Sequence, residues 1–463
     1  MSVERSAESR IRPLVMKFGG TSVADAACLR RVGALVKAAL PNAPLVVLSA
    51  TSRTTDQLFA AARTAASGDL KAALAVFEDV KARHHMIAAE LLGAGASTAF
   101  AALDARFGAL EAMLRSASLV REITPASLDA IVSSGERFST LLLAAHLADE
   151  GVPVRLMPAE EVLRTDARHG SAQPQFDVIR RLAAEKLAPD LVPGRAVVTQ
   201  GYVGGTEDGQ ATTLGRGGSD YSAAIFGGAL NASEVQIWTD VEGILTADPR
   251  IVPTALPLAE VSFAEAAELA AFGAKVLHPA TVQPAADQGV PVTVRHTERP
   301  AGRFTRITRE GGSGRPVTSL ASRGPVTVVT ATSTRMLNQS GFLAKLFEVF
   351  GRLGVSVDVV ATAEVSVSMT IEADAPVEAL RRELAPFATA TFAPDRAIVA
   401  VVGERLKRTP GNAAKVLAAF GDDDIEMISM GANEINLTVV VPRARVQDVV
   451  RRLHRVLIEG RSP

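Results

Sequence analysis

Leu14-Val15-Met16-Lys17-Phe18-Gly19-Gly20-Thr21-Ser22-Val23, followed by a second apolar run at Pro44-Leu45-Val46-Val47-Leu48-Ser49, decides the fold class. A stretch of helical composition separates the two runs, and the same rhythm continues to about residue 300. Short strands alternating with helices indicate an α/β layer protein with a largely parallel sheet. The Ala/Leu-rich region from Leu58 to Ser118 has few breakers and reads as helices on or beside that sheet, without chemistry of its own. Val197 to Val203 and Ala211 to Leu214 read as two strands joined by a polar turn.

The chain has 463 residues, enough for about three domains at roughly 150 residues each. Its 48% apolar content against 21% charged excludes a mostly disordered polymer. Lys plus Arg (49) nearly equals Asp plus Glu (50), so no global field exists to hold nucleic acid or an anionic membrane surface. The single cysteine, Cys28, forms no intrachain disulfide and reads as a core residue. The seven histidines lack zinc spacing, so no metal site of protein ligands is expected, and no histidine shows a partner. Residues 1–13 form a charged leader rather than a secretion signal, and no apolar run reaches the ~18 residues that would cross a bilayer. A soluble, cytoplasmic protein is expected.

Polar, Gly-rich residues 309–315 open a linker expected to run from 309 to 324. Beyond it lies an internal repeat at a constant offset of 70 positions: Gly341 and Gly411, Lys345 and Lys415, Phe350 and Phe420, Val355 and Ile425, Glu364 and Glu434. Each copy, 325–394 and 395–463, reads as a βαββαβ unit with helices on one face of an antiparallel sheet.

Five segments of the 14–308 region can carry chemistry. Lys17-Phe18-Gly19-Gly20 ends the first strand where a helix begins, and its glycine N–H groups with Lys17 suit a phosphate, although a plain glycine-rich turn has the same pattern. No Gly-Lys pair occurs, which excludes a Walker A loop. In Thr213-Leu214-Gly215-Arg216-Gly217-Gly218-Ser219-Asp220-Tyr221, Arg216 suits a carboxylate or phosphate. There Ser219 reads as a helix N-cap, while Asp220 serves equally as cap or orienting group. Ser133-Ser134-Gly135-Glu136-Arg137 interrupts an apolar helix running to Leu147. That places Glu136 either against something that approaches closely, such as an ammonium group, or on a surface face. Trp238-Thr239-Asp240-Val241-Glu242-Gly243-Ile244, with Asp248-Pro249-Arg250 behind it, ends a strand where α/β proteins bind nucleotides. Finally, Phe272-Gly273-Ala274-Lys275-Val276-Leu277-His278-Pro279 offers Lys275 to a phosphate, with His278 structural.

Taken in this order, KFGGTSV, SSGE, TLGRGGSDYSA, WTDVEGI, TADPR and FGAKVLHPA resemble the aspartate kinases of the amino-acid kinase superfamily. The resemblance covers nearly the whole chain, since those enzymes end in two ACT modules. It implies a three-layer αβα kinase fold followed by two ferredoxin-like α+β domains. It places ATP on Lys17, Phe18, Gly19, Gly20, Thr239, Asp240, Leu245, Arg250, Lys275 and Val276, with Mg²⁺ on the phosphates. Leu245 stands where the family carries tyrosine. L-Aspartate would lie against Thr55, Glu136 and Arg216, its ammonium on Glu136 and its α-carboxylate on Arg216. Lys17, Arg216 and Asp220 would be the catalytic groups.

In the tail the resemblance is to the lysine-sensitive class. It implies an L-lysine effector at Met336, Gln339, Phe342, Leu343, Ser356, Val357, Asp358 and Glu364, where two first modules meet in a homodimer or dimer of dimers. Ala363 stands where bacterial lysine-sensitive members carry serine, and threonine is the alternative effector. A non-catalytic amino-acid sensor and a kinase for another acid are the rival readings. No homoserine dehydrogenase module follows the second repeat, so a monofunctional enzyme is expected.

Overall fold

The computed structural model describes residues 11–93, 96–273, 281–312, 314–336, 340–431 and 433–460. They fall into two compact units: one holds the chain up to Gly243 together with 276–309, the other Ile244–Lys275 together with 310–463. No described helix is long and apolar enough to cross a membrane.

The first unit is built on strands β1 (Leu14–Phe18), β2 (Pro44–Leu48), β3 (Val154–Met157), β4 (Ala196–Gln200), a small hairpin of β5 (Val203–Gly205) and β6 (Ala211–Thr213), and β7 (Glu234–Thr239). Past β8 (Glu260–Ser262), which belongs to the second unit, come β9 (Val292–His296) and β10 (Thr305–Thr308). The sheet of this unit runs β3-β4-β2-β1-β7-β9-β10. It is parallel except for β10, which pairs antiparallel with β9. Every residue of β1, β2 and β4 is buried, as expected of strands covered on both faces. The register aligns Phe18 with Leu48 and with Trp238, so the loops after β1, β2 and β7 leave the sheet at one carboxyl edge.

Helices α1 (Ala26–Ala39), α2 (Thr54–Ala66), α3 (Leu70–Leu91), α4 (Ala96–Val120), α5 (Pro125–Val132), α6 (Ser134–Asp149), α7 (Phe176–Leu182), α8 (Gly218–Ala229) and α10 (Gln283–Asp287) complete this unit, while α9 (Phe263–Ala271) is in the other. The Ala/Leu-rich region is helical as read, and its Phe77 and Phe107 sit in one apolar core with Phe18, Leu48 and Phe138. Full burial of each such side chain stabilises by about 1.5–3 kcal/mol. Two readings change in detail. The apolar helix expected through residue 133 is two helices that meet at Ser133. The strand expected over 197–203 breaks at Gly201 and Tyr202, where Tyr202 takes φ of 67°.

The second unit contains β11 (Ser319–Thr332), α11 (Phe342–Arg352), β12 (Val357–Thr362), β13 (Ser366–Glu372), α12 (Val377–Leu384), β14 (Thr389–Val402), α13 (Asn412–Ala418), β15 (Met427–Met430), β16 (Asn436–Pro442) and α14 (Val446–Leu457). Among the described residues its sheet has the order β12-β13-β11-β14-β16-β15. The long strands β11 and β14 are themselves 70 positions apart, and each serves two modules. Val326–Thr332 pairs with β13 and with 389–396, closing the first βαββαβ module. Ser319–Arg323 pairs with Ile398–Val402, which in turn pairs with β16.

The second module therefore takes its fourth strand from residues that precede the first module. This corrects the expected 309–324 linker, whose residues 319–323 are sheet. The physical reason is twofold. Val317 and Leu320 fill the second core beside Val399, Val401 and Leu453, and without residues 319–323 the backbone of 398–402 would be an unpaired edge.

Residues 244–275, expected within the 14–308 domain, group with this second unit. Ala247 and Val252 lie in its core, and the fully buried Glu265 accepts hydrogen bonds from the Thr318 hydroxyl at 2.6 Å and the Glu404 amide at 3.1 Å.

Candidate active site

The loops after β1 and β2, the start of α6 and the turn into α8 enclose a cavity of about 580 Å³ in the first unit. Lys17, Gly20, Thr55, Glu136, Arg216 and Asp220 all line it. Residues that stand far apart in sequence are thus brought to one carboxyl edge, where parallel sheets bind ligands.

Lys17, the last residue but one of β1, has 7% exposure. Its ammonium lies 2.6 Å from Asp220 Oδ1. A buried cation needs such a partner. Asp220 sits in the first turn of α8, whose N-cap is Gly217 at φ 72°. Neither Ser219 nor Asp220 caps the helix, so the capping reading of both is replaced: Asp220 faces Lys17, and Ser219 lines the cavity. Gly215, at φ 77°, also occupies the left-handed region that glycine tolerates. Between these two glycines Arg216 is exposed at the cavity wall and, among the described residues, makes no ion pair.

Glu136 also lines the cavity, with 3% exposure. Its Oε1 accepts from the Ala50 amide at 3.2 Å, while Oε2 is buried without a hydrogen-bond partner. Loss of solvent pushes this carboxyl up to about 8, against the lowering effect of the Ala50 N–H and the Arg137 cation. The surface-face reading therefore fails for Glu136. Arg137 is engaged elsewhere, 2.7 Å from Glu160. Gly135 does mark a close approach, but by the protein itself: a Cβ there would lie 2.8 Å from the Ala50 Cβ. The Ser139 hydroxyl donates to the Ser49 carbonyl at 2.7 Å, joining α6 to the same loop.

Not every expected ligand group is free. The Gly19 N–H donates to the Trp238 carbonyl at 3.1 Å, so it is not offered to a phosphate as expected. Phe18 is fully buried and stacks on Trp238 with centroids 5.9 Å apart, and its carbonyl accepts from the Ser49 amide; Phe18 is thus a core residue rather than a nucleotide contact. Gly20 keeps the close approach, since a Cβ there would lie 3.0 Å from the Ala50 carbonyl oxygen.

Thr239 ends β7, and its hydroxyl donates to Asp240 at 3.1 Å. Leu245 and Arg250 belong to the second unit, where Leu245 accepts from the Ser319 hydroxyl at 2.8 Å and Arg250 pairs with Asp248 at 2.5 Å. Lys275, Val276 and His278 lie outside the described residues.

The cavity also includes residues that the sequence reading passed over. Arg53, at φ 66°, precedes α2 and adds a third cation to the lining, after Lys17 and Arg216. Tyr202 packs under the Arg216 turn: a Cβ on Gly218 would meet its ring at 2.6 Å. Burial first, and the nearby Glu136 and Asp129 next, push the Tyr202 hydroxyl up to about 12 despite its bond with Thr213.

Several of the described histidines do have partners, contrary to expectation. His84 lies 2.7 Å from the Val80 carbonyl and 3.1 Å from the Thr51 hydroxyl. Burial pulls its pKa down to about 4, so the neutral ring donates through Nδ1 and accepts through Nε2. His85 meets Asp104 at 2.8 Å, His169 meets Asp129 at 3.0 Å and His454 meets Thr246 at 2.9 Å. Cys28 is half-buried near the start of α1 rather than in the core, and desolvation raises its thiol.

In the first repeat module Phe342 is only 7% exposed and packs in the core with Leu346 and Phe350, so its side chain is structural rather than an effector contact. Met336 and Val357 pack against the same core, and Leu343 is 40% exposed. Asp358 pairs with Arg323 at 3.0 Å. Ser356 and Glu364 are exposed. Gln339 lies outside the described residues.

Comparison with known proteins agrees with this geometry. The amino acid kinase family model matches residues 12–296, and an ACT domain model matches 399–457. Lysine-sensitive aspartokinase 3 of Escherichia coli is 37% identical over 96% of this chain and 99% of its own length. The chloroplastic aspartokinase 1 of Arabidopsis thaliana is 35% identical over 96% of this chain and 80% of its own length. The solved structure of E. coli aspartokinase III with aspartate and ADP superposes with a TM-score of 0.83 at 36% identity, over 96% of this chain and 99% of that one. With a kinase core and an ACT tail matched across almost all of its length, the chain belongs to the aspartokinases of the amino acid kinase family.

Proposed function

We propose that this aspartokinase transfers the γ-phosphoryl group of ATP to the β-carboxylate of L-aspartate through Lys17, Arg216 and Asp220, with Glu136 and Thr55 holding the acceptor. The observation that carries the reading is the cavity itself, whose lining includes both a buried acid, Glu136, and an exposed guanidinium, Arg216. Glu136 receives the ammonium and Arg216 the α-carboxylate, which together select an α-amino acid over carbamate or a nucleotide acceptor.

The β-carboxylate is ionised at neutral pH, so no general base is needed. Its oxygen forms the new bond to Pγ as the bond from Pγ to the bridging oxygen breaks and ADP leaves. The protein aligns the two anions and offsets their charge. Lys17, held by Asp220, lies at the transferring group, and Gly20 lines the cavity beside it. Thr239 and Asp240, at the end of β7, border the nucleotide. Mg²⁺, an ion usually carried on phosphates with one or two carboxylates, would enter with the nucleotide. When bound there, it neutralises phosphate charge. Asp220 is the cavity carboxylate placed to meet it.

We further propose a cytoplasmic homodimer or dimer of dimers, joined through the ACT modules and inhibited by L-lysine at Met336, Gln339, Leu343, Ser356, Val357, Asp358 and Glu364. The product, 4-phospho-L-aspartate, would open lysine, methionine and threonine synthesis. Two observations support the effector class: likeness to a lysine-sensitive relative over nearly the whole chain, and the exposed acid Glu364, suited to an ammonium group; Asp358 would have to exchange its Arg323 partner for that group.

Trapping the acyl phosphate with hydroxylamine should give hydroxamate with aspartate and not with glutamate, and millimolar lysine should suppress it. ATP consumption absent with both acids would support the sensor reading instead. Insensitivity to lysine and threonine, alone and together, would reject feedback by these amino acids.

A further inference from the structure

We infer that Asp129, on α5 outside the residues assigned to the reaction, is a positioning residue that sets Arg216 and thereby the selectivity for a free α-carboxylate. The inference rests on the reading that Arg216 holds that carboxylate.

Asp129 is 2% exposed. Its Oδ1 accepts from the Thr213 hydroxyl at 2.7 Å, and its Oδ2 accepts from the Thr213 amide and the Gly170 amide, both at 3.0 Å. His169 Nδ1 also lies 3.0 Å from Oδ2. An isolated carboxylate in such a place would be costly. Four polar contacts, three of them from backbone or hydroxyl donors, hold it instead.

All four reach segments that frame the Arg216 turn. Thr213 ends β6 three positions before Arg216, and only Leu214 and the left-handed Gly215 intervene. The Gly170 carbonyl lies 3.2 Å from the point a Cβ on Gly215 would occupy, and Gly170 also lines the cavity. The Thr213 carbonyl accepts from Ala172 at 2.9 Å. Asp129 thus clamps the root of the turn to the 169–172 loop on both sides.

The same short helix leads through Ser133 into α6 and Glu136. One carboxylate therefore ties together the element that receives the ammonium and the turn that receives the α-carboxylate. Because Arg216 makes no ion pair among the described residues, its direction depends on the backbone beneath it, and displacing a positioned group by about 1 Å can cost on the order of 10²-fold in rate.

The test compares L-aspartate with its α-amide, in which the group facing Arg216 is uncharged. Kinetics are measured for wild type, Asp129→Ala, Asp129→Asn, Arg216→Ala and the Asp129→Ala/Arg216→Ala double variant. Asp129→Ala should raise KM for aspartate by about tenfold or more, leave KM for ATP nearly unchanged, and lose the preference for aspartate over the amide. Asp129→Asn, which keeps an acceptor for the two backbone amides, should restore most of that preference. In the Arg216→Ala background, Asp129→Ala should change little further, because residues acting as one unit are not additive.

If Arg216→Ala abolishes the preference while Asp129→Ala retains it, the positioning role is overturned and the Arg216 reading stands. If Arg216→Ala itself retains the preference, the Arg216 reading falls and this proposal with it. Should Asp129→Ala not fold, Asp129→Asn and Thr213→Val decide by the same substrate pair: a weakened preference supports the role, and an unchanged one rejects it.

Discussion

Replacing Lys17 by alanine is expected to lower kcat by about 10² to 10³. The ammonium is 7% exposed and 2.6 Å from Asp220, so its position is fixed before any nucleotide arrives, and no reorganisation is needed as charge grows on the transferring group. Its loss acts twice. The developing negative charge loses a preorganised cation, and Asp220 is left as an uncompensated anion in a cavity that must accept phosphates. KM for ATP should therefore rise as well, and Lys17→Ala/Asp220→Asn should recover part of that rise without recovering kcat. A coupled assay of ADP release with saturating aspartate reads both constants. Wild-type turnover in Lys17→Ala would remove this residue from the mechanism.

The second large effect falls on Glu136. Its carboxyl is pushed up to about 8 by burial, whereas an aspartate ammonium is held best by the ionised form. Substrate binding near pH 7 should accordingly release a proton, and KM for aspartate should fall as the pH is raised towards 8. Glu136→Gln cannot ionise: it should raise KM for aspartate by about 10²-fold, consistent with removing one partner of a buried charged contact, and its KM should no longer follow pH in this window. Calorimetry in buffers of different ionisation enthalpy would detect the released proton, and a wild-type binding enthalpy independent of buffer would contradict the assignment.

The same residue has a stability consequence of opposite sign. The folded-state pKa lies above the ordinary value of 4.5, so the folded chain keeps a proton that the unfolded chain gives up. The stability linked to it is complete below pH 4.5 and declines as pH rises through about 8. Glu136→Gln removes that decline, and its Tm should exceed that of wild type at pH 8 while the two converge in acid. A site residue that destabilises the empty protein is the usual pattern where function and stability compete.

Much of this was readable from residues alone because it rests on local chemistry. The apolar runs at Leu14–Phe18 and Pro44–Leu48 are strands because uninterrupted burial on both faces needs that composition. The offset of 70 positions exposed the repeat because two copies must fill two similar cores. The parts that were not readable are those fixed by distant partners. Gly19 looks like a free donor until the register places the Trp238 carbonyl beside it. Asp129 carries no motif, since its four contacts lie 40 to 84 positions away. Ser219 has the composition of a helix cap, but Gly217 already provides the left-handed residue that begins α8. Residues 319–323 resembled a linker because their pairing partner, Ile398–Val402, lies on the far side of an entire module.

That exchange of strands makes the tail indivisible. A fragment beginning at 395 would carry a bare β edge along Ile398–Val402 and a core lacking Val317 and Leu320, and it should aggregate or recruit strands from other molecules. The two halves of the tail are consequently unable to be shuffled as separate cassettes: a viable recombination or gene-fusion junction must lie before Val317 or after α14, so that the paired modules are inherited as a single piece.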